Sequence, residues 1–235
     1  MKDKVVLVTG GAGNLGQAVS RAFIAAGAKV VVPVYRTDHA APVEALKAEF
    51  GDSFHSFALD LTTERGAEQA VRQAVEWGGT LSSVAHLVGG YAGGVRLADT
   101  PLEMWNRMVD LNMTSTYLIT RFATPQLLAA GGGSFVFVSS RAAFEGRANR
   151  AAYAATKAGL VSMAKGVAEE YGREGIRSNV VVPDTIDTED NRAAMPDADF
   201  SRFISPDSIA RVIVFLASDD SSSINGAAVP VYGGA

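Results

Sequence analysis

Val5-Val6-Leu7-Val8-Thr9-Gly10-Gly11-Ala12-Gly13-Asn14-Leu15-Gly16 is the stretch on which the fold turns. Four consecutive aliphatic residues predict a strand covered on both faces, as in the interior of a parallel sheet. The strand runs straight into glycines, and a helical pattern follows over Gln17–Ala26. Glycine permits a sharp turn and a close backbone approach, and the amides opening the next helix favour an anion. Strand, glycine-rich turn and helix, in that order, form the context in which G-x-G-x-x-G holds the pyrophosphate of a dinucleotide.

Outward from that turn, the same alternation continues along the chain. Further strands are predicted at Lys29–Tyr35, Ser53–Leu59, Val84–Val88, Ser134–Ser139, Ser178–Val182 and Ala228–Val231, with helices such as Glu64–Trp77 and Leu102–Ala129 between them. Strands alternating with helices imply right-handed crossovers and a parallel sheet. The expectation is an α/β, single-domain, Rossmann-type doubly wound fold over residues 1–235, with a seven-stranded parallel sheet flanked by helices. One long irregular stretch, Asp184–Ser205, interrupts the pattern; loops of that length in small domains usually serve function, and a substrate lid is expected there.

Composition narrows the function. Of 235 residues 48% are hydrophobic, enough for one large core, yet no apolar run approaches the roughly 18 residues of a membrane span. The first strand begins almost at the N-terminus, which leaves no room for a secretory leader and points to the cytoplasm. Cysteine is absent, which removes disulfides, thiolate nucleophiles and Cys-type zinc sites. His39, His55 and His86 lack metal-ligand spacing and read as ordinary loop or strand residues. A net charge of −4, without a basic block, argues against nucleic acid as partner.

Which dinucleotide binds is read at the end of the second strand. An acid there would bond the ribose hydroxyls of NAD. The sequence instead gives Tyr35-Arg36-Thr37, with no carboxylate until Asp38. Arg36 and Thr37 suit a 2′-phosphate, so NADP is favoured and NAD remains possible. Asp60, after the third strand, is placed either to approach the adenine edge or to cap the next helix.

Tyr153 and Lys157 stand at i and i+4, on one face of one helix. A nearby ammonium favours phenolate, so the tyrosine pKa is expected below its usual value of about 10, suiting general acid–base work. Ser140 lies at the C-terminal end of a predicted strand, the edge where open α/β sheets bind ligands. With the glycine-rich turn, Asn112, Pro183 to Thr188 and the terminal Ile224-Asn225-Gly226…Val231-Tyr232-Gly233-Gly234, these residues give the whole chain a resemblance to the short-chain dehydrogenase/reductase family.

The resemblance implies hydride transfer between a nicotinamide and a carbonyl or alcohol. By it, Tyr153 exchanges a proton with the substrate oxygen, Ser140 hydrogen-bonds that oxygen, Lys157 holds the ribose, and Asn112 anchors a water of the proton relay. Cofactor contacts would come from Gly10, Gly13, Asn14, Leu15 and Gly16 in the turn, from Asp60 and Leu61, and from Gly89 and Gly90. Pro183, Thr185, Ile186 and Thr188 would flank the nicotinamide. Family members commonly form homodimers or homotetramers through the helices matching Leu102–Ala129 and Ala151–Tyr171. The small face Ala151, Ala155, Ala158 and Ser162 suits helix pairing or packing on the sheet equally.

Three departures stand out. Asn14 occupies a usual glycine position, which asparagine's tolerance of left-handed backbone would permit. The family's N-N-A-G appears as Leu87-Val88-Gly89-Gly90, so packing must replace the lost asparagines, and the usual P-G after the sixth strand is Pro183-Asp184. Val88–Gly94 and the insertion, from Asp187-Thr188 through Met195-Pro196 to Phe200-Ser201, resemble dihydropteridine reductases, a branch of the family. Quinonoid dihydropterin is therefore a second substrate class, and an acyl-carrier-bound oxoacyl group near Arg147 and Arg150 a third. A non-catalytic dinucleotide sensor is the remaining reading. Tyr91, Phe144, Met195 and Phe200 are the expected substrate-side residues.

Overall fold

The computed structural model describes residues 1–35 and 39–233. Seven strands form one sheet in the order β3-β2-β1-β4-β5-β6-β7: β1 (Val5–Thr9), β2 (Lys29–Val34), β3 (Phe54–Ala58), β4 (Leu81–His86), β5 (Gly133–Val138), β6 (Ile176–Pro183) and β7 (Ala228–Val231). Every neighbouring pair is parallel. The helices are α1 (Asn14–Ala25), α2 (Ala40–Phe50), α3 (Glu64–Gly78), α4 (Leu102–Val109), α5 (Ser115–Ala129), α6 (Ala151–Tyr171), α7 (Glu189–Ala194) and α8 (Pro206–Ala217).

Strand alternation divides the core into two layers. Val5 and Leu7 join Phe135, Phe137 and the apolar faces of α3, α5 and α6, including Ala67, Ile119 and Leu160. Val6 and Val8 point the other way, onto Val19 and Phe23 of α1 and Ile209 and Ile213 of α8. Each fully buried large apolar side chain contributes about 1.5–3 kcal/mol, whereas an exposed pair such as Arg72–Glu76 contributes about 0–1. The two layers, not the surface charges, hold the fold.

Arg177 of β6 closes the far end of α8, donating to the carbonyls of Leu216 and Ser218, both at 2.9 Å. Asn179 donates to Ile224 O and accepts from Ala227 N, so the C-terminal segment is stitched to β6.

Three predicted elements differ, the first being β4, which runs from Leu81 to His86 and not from Val84 to Val88. The long helix over Leu102–Ala129 is broken by a π-helical turn at Asp110–Thr114, which accommodates one extra residue per turn. The stretch Asp184–Ser205 is less irregular than expected: Ile186 and Ile204 form a parallel bridge that closes it, and α7 lies inside.

The sheet reverses its winding between β1 and β4, the switch point at which α/β sheets take ligands. The glycine-rich turn lies on that crevice. Gly10 adopts φ +69°, and a Cβ on Gly16 would sit 2.0 Å from the Gly10 carbonyl oxygen and 2.6 Å from Gly11 Cα. No side chain could enter there without moving backbone.

Gly16→Ala is therefore expected to cost about 1–3 kcal/mol or more. At roughly 2–4 °C per kcal/mol for a chain of this size, thermal unfolding followed by circular dichroism will read that loss as several degrees. An unchanged melting temperature would contradict the contact.

Candidate active site

The turn offers a cradle for a phosphate. Gly13 precedes α1 without a side-chain cap, so the first-turn amides of the helix, including those of Asn14, Leu15 and Gly16, are left for an outside acceptor. Asn14 is the first helical residue and not left-handed. Among described non-glycine residues only Asp3 and Asn149 have positive φ, so the tolerance invoked for Asn14 is not used. Its side chain donates instead to Asp190 of α7 at 2.8 Å, tying the turn to the insertion.

Arg36 and Thr37 lie outside the described residues. Asp60 does not cap α3, because Thr63 does, accepting from Gly66 N at 3.1 Å. The Asp60 carboxylate accepts from the amide and hydroxyl of Thr62, and Leu61 beside it is buried.

Behind the crevice runs a chain of hydrogen bonds absent from the sequence reading. Thr9 Oγ1 accepts from the amides of Leu87 and Val88, so its own proton goes to His86 Nδ1, 2.8 Å away. Ser115 Oγ donates to Leu111 O at 2.7 Å, so it accepts from His86 Nε2 at 3.3 Å. The imidazole is thus neutral, with its proton on Nε2. Burial, reinforced by Lys157, pulls its pKa down to about 3. This histidine at the end of β4 supplies polar support between β1, β4 and the π turn, which corrects the expectation that packing alone replaces the missing asparagines. Its signal was its register opposite Thr9, visible only once β1 and β4 pair.

The π turn buries Asn112 completely. Its Oδ1 accepts from Gly90 N at 3.0 Å and its Nδ2 donates to Gly90 O at 3.1 Å and Thr156 Oγ1 at 3.1 Å. This double clasp draws the β4 loop inward. A Cβ on Gly89 would lie 2.7 Å from Asn112 Oδ1 and 3.0 Å from Lys157 Nζ.

Tyr153 and Lys157 share a face of α6, near Ser140 at the end of β5. The Ser140 hydroxyl stands beside the Tyr153 phenol and acts to lower its pKa. Burial nevertheless raises the Tyr153 pKa above its ordinary value, the Ser140 hydroxyl offsetting this only in part. The expected lysine-driven fall is thus overturned. The Lys157 ammonium is turned to Val138 O at 2.9 Å, and Arg150, not Lys157, is the cation that lowers the phenol. Lys157 is itself buried, and desolvation lowers its pKa to about 8.

On the substrate side, the Tyr91 ring stands edge-on to Tyr153, with centroids 5.0 Å apart. Phe144 is exposed beyond the short turn Arg141–Ala143. Phe200 packs on Phe203 and beneath Arg192 within the insertion, and half-buried Met195 ends α7. Thr188 caps α7 by accepting from Asn191 N. Thr185 and Ile186 sit at the bridge to Ile204. Pro183 ends β6, and the adjacent Asp184 binds Arg141 at 2.8 Å. Arg141 also pairs with Glu145 and lies 4.9 Å above the Tyr232 ring. Among the described residues no cluster of three or more acids and histidines is placed to hold a metal, and no helix is long and apolar enough to cross a membrane.

A switch-point crevice with an open glycine turn and a Ser–Tyr–Lys constellation defines a dinucleotide-dependent oxidoreductase. A family model described as enoyl-(acyl carrier protein) reductase matches residues 10–235. The 2,5-dichloro-2,5-cyclohexadiene-1,4-diol dehydrogenase of Sphingobium indicum is 35% identical, over 100% of this chain and 96% of its own. A short-chain type dehydrogenase/reductase from Mycobacterium ulcerans superposes with a TM-score of 0.93 at 30% identity, covering 98% of this chain and 89% of that one. A blue fluorescent protein from a metagenomic library, solved in complex with NADPH, gives 0.90 at 28% identity, covering 99% and 98%. The chain belongs to the short-chain dehydrogenase/reductase family and is an NAD(P)-dependent oxidoreductase of alcohols and carbonyl compounds.

His86 makes a pH prediction. Its folded-state pKa lies below the ordinary 6.5, so the unfolded chain takes up a proton that the native one refuses. Its contribution is whole above about 6.5 and is lost as pH falls toward about 3, by about 1.4 kcal/mol per pH unit. Urea titrations of wild type and His86→Asn across that range should differ by this slope; parallel curves would show that His86 is charged in the native state.

Proposed function

We propose that this protein reduces a carbonyl compound with NADPH, or oxidises the matching alcohol, using Tyr153 as general acid–base. The observation that carries the reading is the Ser140–Tyr153 hydroxyl pair, with the Lys157 ammonium on the same helix face. The bound nicotinamide supplies or accepts the hydride. The protein's part is orientation and proton handling. A phenol held above its ordinary pKa stays protonated at neutral pH, which suits delivery of a proton to a carbonyl oxygen. Ser140 positions that oxygen. Lys157 uses one of its three donors on Val138 O and has two left for ribose hydroxyls. Asn112 holds the Gly89–Gly90 backbone against the same lysine.

The residues fit a dinucleotide: the cradle leaves no space for a side chain at Gly10 or Gly16, and the amides after Gly13 are open for a pyrophosphate. The choice of NADPH over NADH rests on Arg36 and Thr37 in the sequence. Residues 184–205 act as the lid, excluding water when closed. A carrier-protein substrate would need a basic patch, and Arg147 is already held by Glu145 at 3.1 Å, which weighs against it.

The protein works as a homodimer or homotetramer. Ala151, Ala155, Ala158 and Ser162 all face outward, so they do not serve packing on the sheet. Exposed Leu102, Trp105 and Tyr117 sit on the neighbouring helices α4 and α5, and apolar surface of this kind supports a helix-to-helix interface.

Initial rates with NADPH and NADH, each against a carbonyl panel and quinonoid dihydropterin, test the activity. Faster carbonyl reduction with NADPH is expected, and preferential turnover of the pterin would reverse the substrate ranking. Tyr153→Phe should lose roughly a hundredfold to ten-thousandfold in kcat while still binding NADPH by fluorescence titration. Turnover equal to wild type would remove the proposed acid. In sedimentation velocity, Ala155→Arg should shift the wild-type oligomer toward monomer; an unshifted oligomer would place the interface elsewhere.

A further inference from the structure

Of the four arginines placed near the crevice, Arg141, Arg147, Arg150 and Arg192, three are neutralised by carboxylates. Arg141 is shared between Glu145 and Asp184, Arg147 is held by Glu145, and Arg192 by Asp187. Arg150, three residues before Tyr153 and half-buried, has no carboxylate partner among the described residues. Its guanidinium lies over the Tyr91 ring, 5.8 Å from the centroid, and Tyr91 in turn meets Tyr153.

That placement is built by the glycine-rich segment after β4. Asn149 takes a left-handed φ of +62°, and its carbonyl accepts from Gly94 N at 2.9 Å, fixing the turn that presents Arg150. A Cβ on Gly93 would lie 2.4 Å from the Tyr91 hydroxyl and 3.0 Å from the Asn149 carbonyl oxygen, so a side chain there would push the ring from this seat. The run Gly89–Gly94 thus seats an aromatic spacer between the proposed acid and an unpaired cation. An arginine on an aromatic face keeps its N–H groups free at the edge, where they match a carboxylate in a two-bond fork.

We propose that Arg150 sets substrate specificity by pairing with an anionic group, most simply a carboxylate, carried a few bonds from the reacting carbon. The natural substrate is then an oxo acid or hydroxy acid of compact size, with Tyr91 packed against the link between its two ends. This rests on the carbonyl-reductase reading above and narrows it. Arg150 makes the added distinction between charged and neutral substrates, leaving the proton transfer to Tyr153.

The test uses matched pairs: levulinate and methyl levulinate, and oxocyclohexanecarboxylate and its methyl ester, each with saturating NADPH. Wild type should prefer the acid over the ester in kcat/KM. In Arg150→Gln that preference should collapse through a rise in KM for the acid, on the order of tenfold to a hundredfold, with kcat for the acid much less affected. Arg150→Lys should recover part of it, because the charge remains while the fork is lost. Acid and ester turned over alike by wild type, or an Arg150→Gln variant that slows both members equally, would overturn the specificity role. Failure of every carbonyl, charged or neutral, with either cofactor would instead count against the reductase reading itself. Competitive inhibition by cyclohexanecarboxylate, weakened in Arg150→Gln, is expected whichever ketone is used; equal inhibition of both proteins would overturn the proposal.

Discussion

A neutral imidazole holds the two halves of this sheet in register with the site. His86 accepts from Thr9 on one nitrogen and donates to Ser115 on the other, so both ring atoms are used and a second proton has no place. The bonds run from the end of β1, through the end of β4, to the helix break that carries Asn112. If His86 were charged in that dry environment, beside the Lys157 ammonium, its proton would face both a desolvation penalty and repulsion. Everything nearer the crevice follows from that strut. Asn112 is oriented to clasp Gly90, and the clasp brings Gly89 against Lys157.

A second set of charges joins the two sides of the crevice. Asp184 stands where the family usually has glycine, and its carboxylate reaches Arg141, the residue after Ser140. Glu145 and the Tyr232 ring hold the same guanidinium from other directions. These groups are partly exposed, so each pair alone adds little to stability. Their effect is geometric: the end of β6, the serine loop and the C-terminal segment share one planar group and cannot move independently.

Much of this was legible in the sequence because it depends on local pattern. Runs such as Val5–Val8 and Val180–Val182 can be read as buried strands without knowing their neighbours, and glycines after β1 announce a turn whatever lies opposite. The spacing of Tyr153 and Lys157 likewise fixes a shared helix face. What the pattern could not supply was the direction of a side chain within its face. Lys157 points to Val138 O and leaves the phenol to desolvation, which inverted the expected pKa change. The role of His86 depends on pairing across 77 residues, and the Asn14–Asp190 bond spans 176. Such contacts exist only after the chain has folded.

The π turn at Asp110–Thr114 makes the number of residues there matter as much as their identity. Each residue advances an α-helix by about 100°, and the wide turn absorbs one that a regular helix would not. Removing a single residue between Met108 and Thr116 could leave a regular, fully bonded helix with an intact apolar stripe. It would nevertheless swing the Asn112 carboxamide out of phase with Gly90. Diversity in this segment is therefore expected as exchange of side chains at constant length, whereas the exposed turn around Asp52 can change length freely.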